Sequence, residues 1–354
     1  MATLVSRVSG RVFVGPDLNR DEDWIKMSTT YTRDVFEAAS SIRTWRPSFR
    51  WIAKYFIPEI RRMHSHNARA TAFVQKILHQ RAYEEQDEGY EKPVDALQWV
   101  RDVLPEKQKE DMRFQALLAM ALVAAAINTT SGLLTDVIFD LAFRPEYVEM
   151  LRDEATEVLN ATGGHWTADS MNSLKKLDSF VKESQRWGAI VGKLQFLVTL
   201  GSWQCIVHTI ILMAFTVSFN RKTVKDITLS DGTFLPRNTY LVAPALAVSS
   251  DPSIFPNADS FDGLRYYNLR QQSSRDEYKY QLSTIDKHML HFGAGRHACP
   301  GRWFASAEIK LILATLILQY DMKLKDGVRP KSILFQAQQL PNPFADVLFK
   351  RREV

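Results

Sequence analysis

The chain has 354 residues, 45% of them hydrophobic and 24% charged, enough to bury ~75% of the surface that its unfolded form exposes. Its net charge of +5 is spread along the sequence, which excludes a basic block able to follow a phosphate backbone, so no nucleic-acid partner is expected. Two cysteines, Cys205 and Cys299, exclude a disulfide framework and favour a reducing, intracellular setting; with no Pro/Gly/Ser-rich linker, one domain over 1–354 is expected.

Met1 to Gly10 lacks the apolar run of a signal peptide or membrane anchor. From Asp21 to about Glu85, apolar residues such as Trp51, Ile52, Tyr55, Phe56 and Ile60 recur at helical spacing. Glu84 to Glu91 reads as a surface loop and Val94 to Val103 as a short amphipathic helix. A long helix is predicted from Lys107 to about Ala142, charged at its start and small and apolar in the middle, as suits a core helix. Pro145 opens the next helix, which runs over Tyr147 to Leu159. Gly163-Gly164 breaks the chain, Thr167 and Ser170 offer caps, and Leu174 to Trp187 is helical again.

Ile227 to Val248 alternates around Ser230-Asp231-Gly232 and predicts a β-hairpin, followed by loops rich in Pro and Asp. After the glycine-containing loop Phe292 to Gly301, a last apolar helix covers Arg302 to about Gln319, and Asp321 to Leu324 is extended. The fold class is therefore mainly α with a minor, late β component.

The chemistry concentrates in His291-Phe292-Gly293-Ala294-Gly295-Arg296-His297-Ala298-Cys299-Pro300-Gly301-Arg302, between a loop and a helix. A lone Cys ahead of a helix has its thiolate stabilised by the positive end of the helix dipole and by nearby backbone amides. Glycines flanking it, lacking a Cβ, let loop and helix backbone come close to a bound group. A buried structural thiol leaves the glycines unexplained. So does a zinc site built from His291, His297 and Cys299, which in addition lacks a fourth ligand at recognisable spacing.

This string resembles the haem loop of the cytochrome P-450 family, F-x-x-G-x-[RH]-x-C-x-G, with Phe292, Gly295, His297, Cys299 and Gly301 in register. Glu183-Ser184-Gln185-Arg186 matches the family's E-x-x-R, and Phe261 to Tyr266 is similar to its later arginine segment. Ala125-Ala126-Ile127-Asn128-Thr129-Thr130 resembles its oxygen-activating [AG]-G-x-[DE]-T-[TS], with Asn128 where the family usually has an acid.

The resemblance implies a haem domain in which Cys299 is the axial ligand and metal contact, Phe292 shields the sulfur, and His297 donates to a propionate. It also implies that Glu183, Arg186 and Arg265 form a buried network, and that Thr129, beside Asn128, relays protons to bound O2. Electrons would come from an NADPH-dependent cytochrome P-450 reductase. The substrate would be a small hydrophobic molecule, of the terpenoid or related fungal secondary-metabolite class. Location at the endoplasmic reticulum membrane is implied as well.

Two departures are expected. The chain begins where the family already has its middle helices, so the membrane anchor, a propionate-binding helix and a substrate-covering loop would be lacking; a shortened, non-catalytic relative is the alternative reading, and a haem enzyme that rearranges without reductase is a third. Between Lys193 and Arg221 there is no Asp, Glu, Lys or Arg, so 194–217 meets the ~20-residue threshold for a membrane span. Because it would split the Glu183/Arg186 network from the Cys299 loop, it reads as an apolar insertion, such as a translated intron.

Overall fold

A computed structural model describes residues 1–199, 218–335 and 338–353. These form two compact units, Met1–Ser131 and Gly132–Val354.

The first unit is helical: α1 (Ala2–Phe13), α2 (Glu22–Thr44), α3 (Arg50–Phe56), α4 (Pro58–Glu84), α5 (Ala96–Val103), α6 (Glu106–Lys109) and the first part of α7 (Met112–Phe143). The Asp21 carboxylate accepts from the Trp24 amide at 2.8 Å and starts α2. Pro58 opens α4 at the first-turn position, where its missing N–H costs nothing. The two long helices α2 and α4 pack on each other, with Trp24 fully buried and edge-on to Phe73 at 5.9 Å. Asp95 caps α5 through the Gln98 amide at 2.9 Å and is also paired with the buried Arg81 of α4.

The helix expected from Lys107 is divided. Residues 106–109 make the separate turn α6, and α7 starts at Met112 because Asp111 caps it, accepting from the Phe114 amide at 2.9 Å. Among the described residues, α7 is the one helix long and apolar enough to cross a bilayer. A core helix passes the same test, and Met120, Val123, Ile127, Leu134 and Val137 of α7 are buried.

The second unit continues through α8 (Val148–Ala161), α9 (Ala168–Ser173) and α10 (Lys175–Thr199). Gly163 and Gly164, at φ +65° and +84°, make the break between α8 and α9. Thr167 and Ser170 then form a reciprocal capping box, with Oγ contacts of 3.1 and 2.7 Å. Buried Glu154 of α8 caps α10 by accepting from the amides of Lys176 and Leu177 at 2.7 and 2.9 Å. Helix α10 runs on past the predicted end at Trp187 into the first residues of the apolar stretch 194–217; the remainder of that stretch lies outside the described residues.

The strands are β1 (Ser218–Lys222), β2 (Ile227–Thr228), β3 (Phe234–Leu235) and β4 (Tyr240–Ala243), then α11 (Ala245–Ser249), α12 (Arg265–Arg270), α13 (Arg302–Gln319), β5 (Tyr320–Leu324), β6 (Ile333–Phe335), β7 (Gln338–Leu340) and β8 (Val347–Arg351). They pair antiparallel as β1·β4, β2·β3, β5·β8 and β6·β7. The hairpin predicted over Ile227 to Val248 is shorter than expected. Gly232 at φ +88° closes β2 on β3, but Asn238 at φ +72° and the Thr223 hydroxyl, which donates to the Pro236 carbonyl at 2.7 Å, turn the chain back so that β4 pairs with β1. Ala245 to Ser249 is helical, where the alternating pattern suggests strand. The core of this unit centres on α13 packed against α8, α9 and α10, with Leu151, Leu177, Leu313 and Ile317 fully buried.

At the end of α7, Asp140 accepts from Arg144 and Arg329, each at 2.7 Å, and Asp136 lies 3.5 Å from the same Arg329. Burial, opposed by Arg329 and reinforced by the charge on Asp140, pushes the Asp136 carboxyl up to about 6. A carboxyl whose folded pKa exceeds its unfolded value stabilises most below the unfolded pKa, and that contribution is lost as pH rises through the folded pKa. Asp136→Asn should therefore remove a stability loss between about pH 4 and pH 6, and raise stability at pH 8 by up to about 3 kcal/mol. Urea unfolding at pH 4, 6 and 8 reads this directly.

Candidate haem-thiolate site

The loop before α13 is built from two 3₁₀ turns, Leu290–Phe292 and Gly295–His297. Between them Gly293 adopts φ +70°, and a Cβ there would come within 3.1 Å of the His297 carbonyl. Gly295 is at φ +60° and would carry a Cβ into open space, so backbone conformation, not crowding, demands glycine there. The Cys299 amide donates to the Phe292 carbonyl at 2.7 Å, which closes the loop. Arg302 donates to the Cys299 carbonyl at 2.9 Å from the first position of α13.

Cys299 and Phe292 are half-buried, while Gly295 and His297 are exposed. A Cβ on Gly301 would sit 3.9 Å from the Cys299 sulfur, an ordinary contact. A half-buried cysteine three residues ahead of a long helix, near a glycine whose Cβ would meet open space and within a loop pinned at its neck, fits a flat, iron-bearing ligand. The zinc alternative is not supported: among the described residues no three His, Cys, Asp or Glu side chains cluster to hold a metal ion. Cys205 lies outside the described residues.

Glu183, Arg186 and Arg265 are brought together. The Glu183 and Arg186 side chains are wholly buried and Arg265 is 9% exposed. Arg186 Nε donates to Glu183 Oε2 at 2.8 Å and Nη2 to Oε1 at 2.6 Å. Its remaining N–H groups reach the carbonyls of Ser249, Ala258 and Ser260 at 2.8, 2.8 and 3.0 Å. Arg265 Nε donates to Glu183 Oε2 at 3.2 Å, and the Asp262 amide donates to Oε1 at 3.0 Å. Desolvated charges of this kind are tolerated only when every donor and acceptor is used. The network fastens the irregular chain 249–265 to α10.

Features that the sequence reading misses support the same segment. The Ser179 hydroxyl accepts from the amides of Tyr266 and Tyr267 at 3.1 and 2.9 Å, which starts α12. Phe261 sits among Tyr147, Phe180 and Trp187, with centroids 5.2–6.1 Å away and the Arg144 guanidinium 3.9 Å over its ring. Gly263 lets the chain pass these rings, since a Cβ there would lie 2.7 Å from Phe180 and 2.8 Å from Tyr147. Gly263→Ala should cost about 1–3 kcal/mol by overpacking, read as a lowered urea midpoint at unchanged slope. Glycine in F-D-G-L is the available sequence signal; the aromatic partners are too distant in the chain to be inferred.

Thr129 and Asn128 belong to the first unit. The Thr129 hydroxyl donates to the Ala125 carbonyl at 2.8 Å and lies 3.3 Å from that of Ala126. Leu117, Ala121, Ala125 and Thr129, four residues apart along α7, are all exposed, and Asn128 beside them is half-buried. A core helix that exposes Leu117, Ala121 and Ala125 a turn apart and follows them with the Thr129 hydroxyl presents a surface suited to an apolar ligand.

Comparison with known proteins gives the family. The sequence profile of the cytochrome P450 family matches residues 1–196 and 212–347. A cytochrome P450 monooxygenase, BOA4, of Botryotinia fuckeliana is 39% identical over 350 residues, covering 99% of this chain and 65% of that protein. Cytochrome P450 monooxygenase olcJ of Penicillium canescens is 36% identical over 353 residues, covering 99% of this chain and 61% of the relative. An ent-kaurene oxidase of Gibberella intermedia is 33% identical over 359 residues, covering 100% and 62%. The chain thus spans slightly less than two thirds of the length of these relatives. With the Cys299 loop, the buried glutamate–arginine network and a family match running through both units, the chain belongs to the cytochrome P450 family.

Proposed function

We propose that this chain is the haem-binding part of a monooxygenase that inserts one oxygen atom from O2 into a small hydrophobic molecule, with electrons supplied by an NADPH-dependent flavoprotein reductase. The observation that carries the reading is the half-buried Cys299 in a loop closed by the Phe292 carbonyl ahead of α13. Cys299 would hold the haem iron, Phe292 shield the sulfur, and His297, exposed on the loop, donate to a propionate. When bound, haem with a thiolate ligand supplies the electron density that favours O–O cleavage.

The chain's own residues would do the rest. The apolar line on α7 holds substrate and excludes water. Thr129, whose hydroxyl already returns to the Ala125 carbonyl, moves a proton through its Oγ1. Asn128 orients water but cannot titrate, so Thr129 would carry proton delivery. Thr129→Val should leave folding unchanged and lower product formed per NADPH consumed about tenfold or more, measured as product and peroxide yield against NADPH. A terpenoid or related fungal metabolite is the substrate class, supported by the relatives' names, among them an ent-kaurene oxidase. The family match leaves residues 197–211 between its two parts, which supports reading 194–217 as an apolar insertion; transcript sequencing tests whether every mature message encodes it.

The direct test is to express the chain, reduce it, add carbon monoxide and record the Soret band. A strongly red-shifted band and product formation with reductase and NADPH support the proposal; failure to retain haem overturns it.

A further inference from the structure

A second buried ionic cluster lies on the same helix as Glu183 but does not belong to the glutamate–arginine network. The Asp178 side chain of α10 is 4% exposed and is met by two buried cations. Its Oδ2 accepts from the Leu282 amide at 2.9 Å and from Arg270 Nη1 of α12 at 3.3 Å, and its Oδ1 lies 3.1 Å from Lys310 Nζ of α13. Lys310 also donates to the Met171 carbonyl at 2.6 Å. One turn along α10, buried Lys182 donates to the Gln281 carbonyl at 3.0 Å and stacks over Tyr266 at 4.8 Å.

The placement of these bonds along the chain is what gives them meaning. Leu282 begins, and Lys310 ends, the stretch that contains the Cys299 loop and the first turns of α13. One carboxylate therefore fastens both ends of the Cys299-bearing segment to α10, where a purely structural ion pair needs to fasten only two helices. We infer that Asp178 is a positioning residue for Cys299, acting through Leu282 and Lys310 to fix where the sulfur-bearing loop leaves and re-enters the core. What is positioned rests on reading Cys299 as the haem ligand; the anchoring itself does not.

The test is hydrogen–deuterium exchange on the full chain without haem, comparing the wild type with Asp178→Asn and Lys310→Met. Asp178→Asn removes the charge that both ends share, and its expected result is exchange about tenfold faster in peptides covering 290–301, with the β2·β3 hairpin unchanged. Lys310→Met removes one anchor and should speed exchange at 293–303 while leaving 281–290 near the wild-type rate; it decides the matter if Asp178→Asn does not fold. Asp95→Asn, which breaks the buried Arg81 pair in the other unit, controls for general destabilisation and should leave 290–301 unchanged. Unchanged exchange at 290–301 in the Asp178 and Lys310 variants, or an equal increase with Asp95→Asn, overturns the inference. A carbon monoxide spectrum of the same proteins separates the two readings: a wild type without the red-shifted band removes the haem assignment, while the exchange result still judges Asp178.

Discussion

Glu183→Gln should lower the unfolding free energy by about 3–5 kcal/mol. Glu183 and Arg186 are three residues apart, and on a solvated helix such a pair contributes about 0.2–0.5 kcal/mol. Here both side chains are wholly buried, and the Glu183 carboxylate accepts from Arg186, Arg265 and the Asp262 amide. Glutamine keeps the shape but leaves two guanidinium groups buried without a counter-charge and places an N–H group among donors. Arg186→Lys should be nearly as damaging, because all five guanidinium hydrogens are engaged and an ammonium has three. Glu183→Asp, which retains the charge but cannot reach both arginines, should fall between. Urea unfolding followed by circular dichroism reads the three variants; a loss below about 1 kcal/mol for Glu183→Gln would mean that the network is solvated in solution.

The residues of this network were legible before its geometry was. Glu183, Arg186 and Arg265 are legible in sequence because they match the E-x-x-R and later arginine segments of the cytochrome P-450 family, in order before Cys299; alone, an E-x-x-R spacing is common on helix surfaces. The carbonyls of Ser249, Ala258 and Ser260 that complete Arg186 carry no side-chain signal, and no periodicity reveals them. Helices with local causes were equally readable: the Thr167/Ser170 box and the Gly163-Gly164 break follow from neighbouring residues alone. Expectations failed where distant pairing decided the outcome. Strand β4 has a sequence that suits the Ile227 hairpin, but its partner is β1, chosen by the turn at Asn238 and the Thr223 hydroxyl. Asp178 carries no sequence signal for the same reason, since its partners at 270, 282 and 310 are joined to it only by tertiary folding.

Cys299→Ala should abolish the red-shifted Soret band of the reduced, carbon monoxide-bound protein while changing stability by less than about 1 kcal/mol. The two halves of this expectation have separate origins. Cys299 is half-buried, so removing its sulfur opens no deep cavity. The loop is closed by backbone instead, through the Cys299 amide on the Phe292 carbonyl at 2.7 Å and Arg302 on the Cys299 carbonyl at 2.9 Å, and both bonds survive truncation. The sulfur, by contrast, is the atom proposed to meet iron, and a thiolate's electron donation has no substitute in a methyl group. Cys299→Ser sharpens the comparison, because a hydroxyl fills the space but does not ionise at neutral pH; it too should lose the band. Glu183→Gln would also weaken it, but together with an unfolding transition shifted to lower urea. A variant that keeps its melting curve and loses its spectrum identifies the ligand, and Cys299→Ala retaining the wild-type band would assign the iron to another residue.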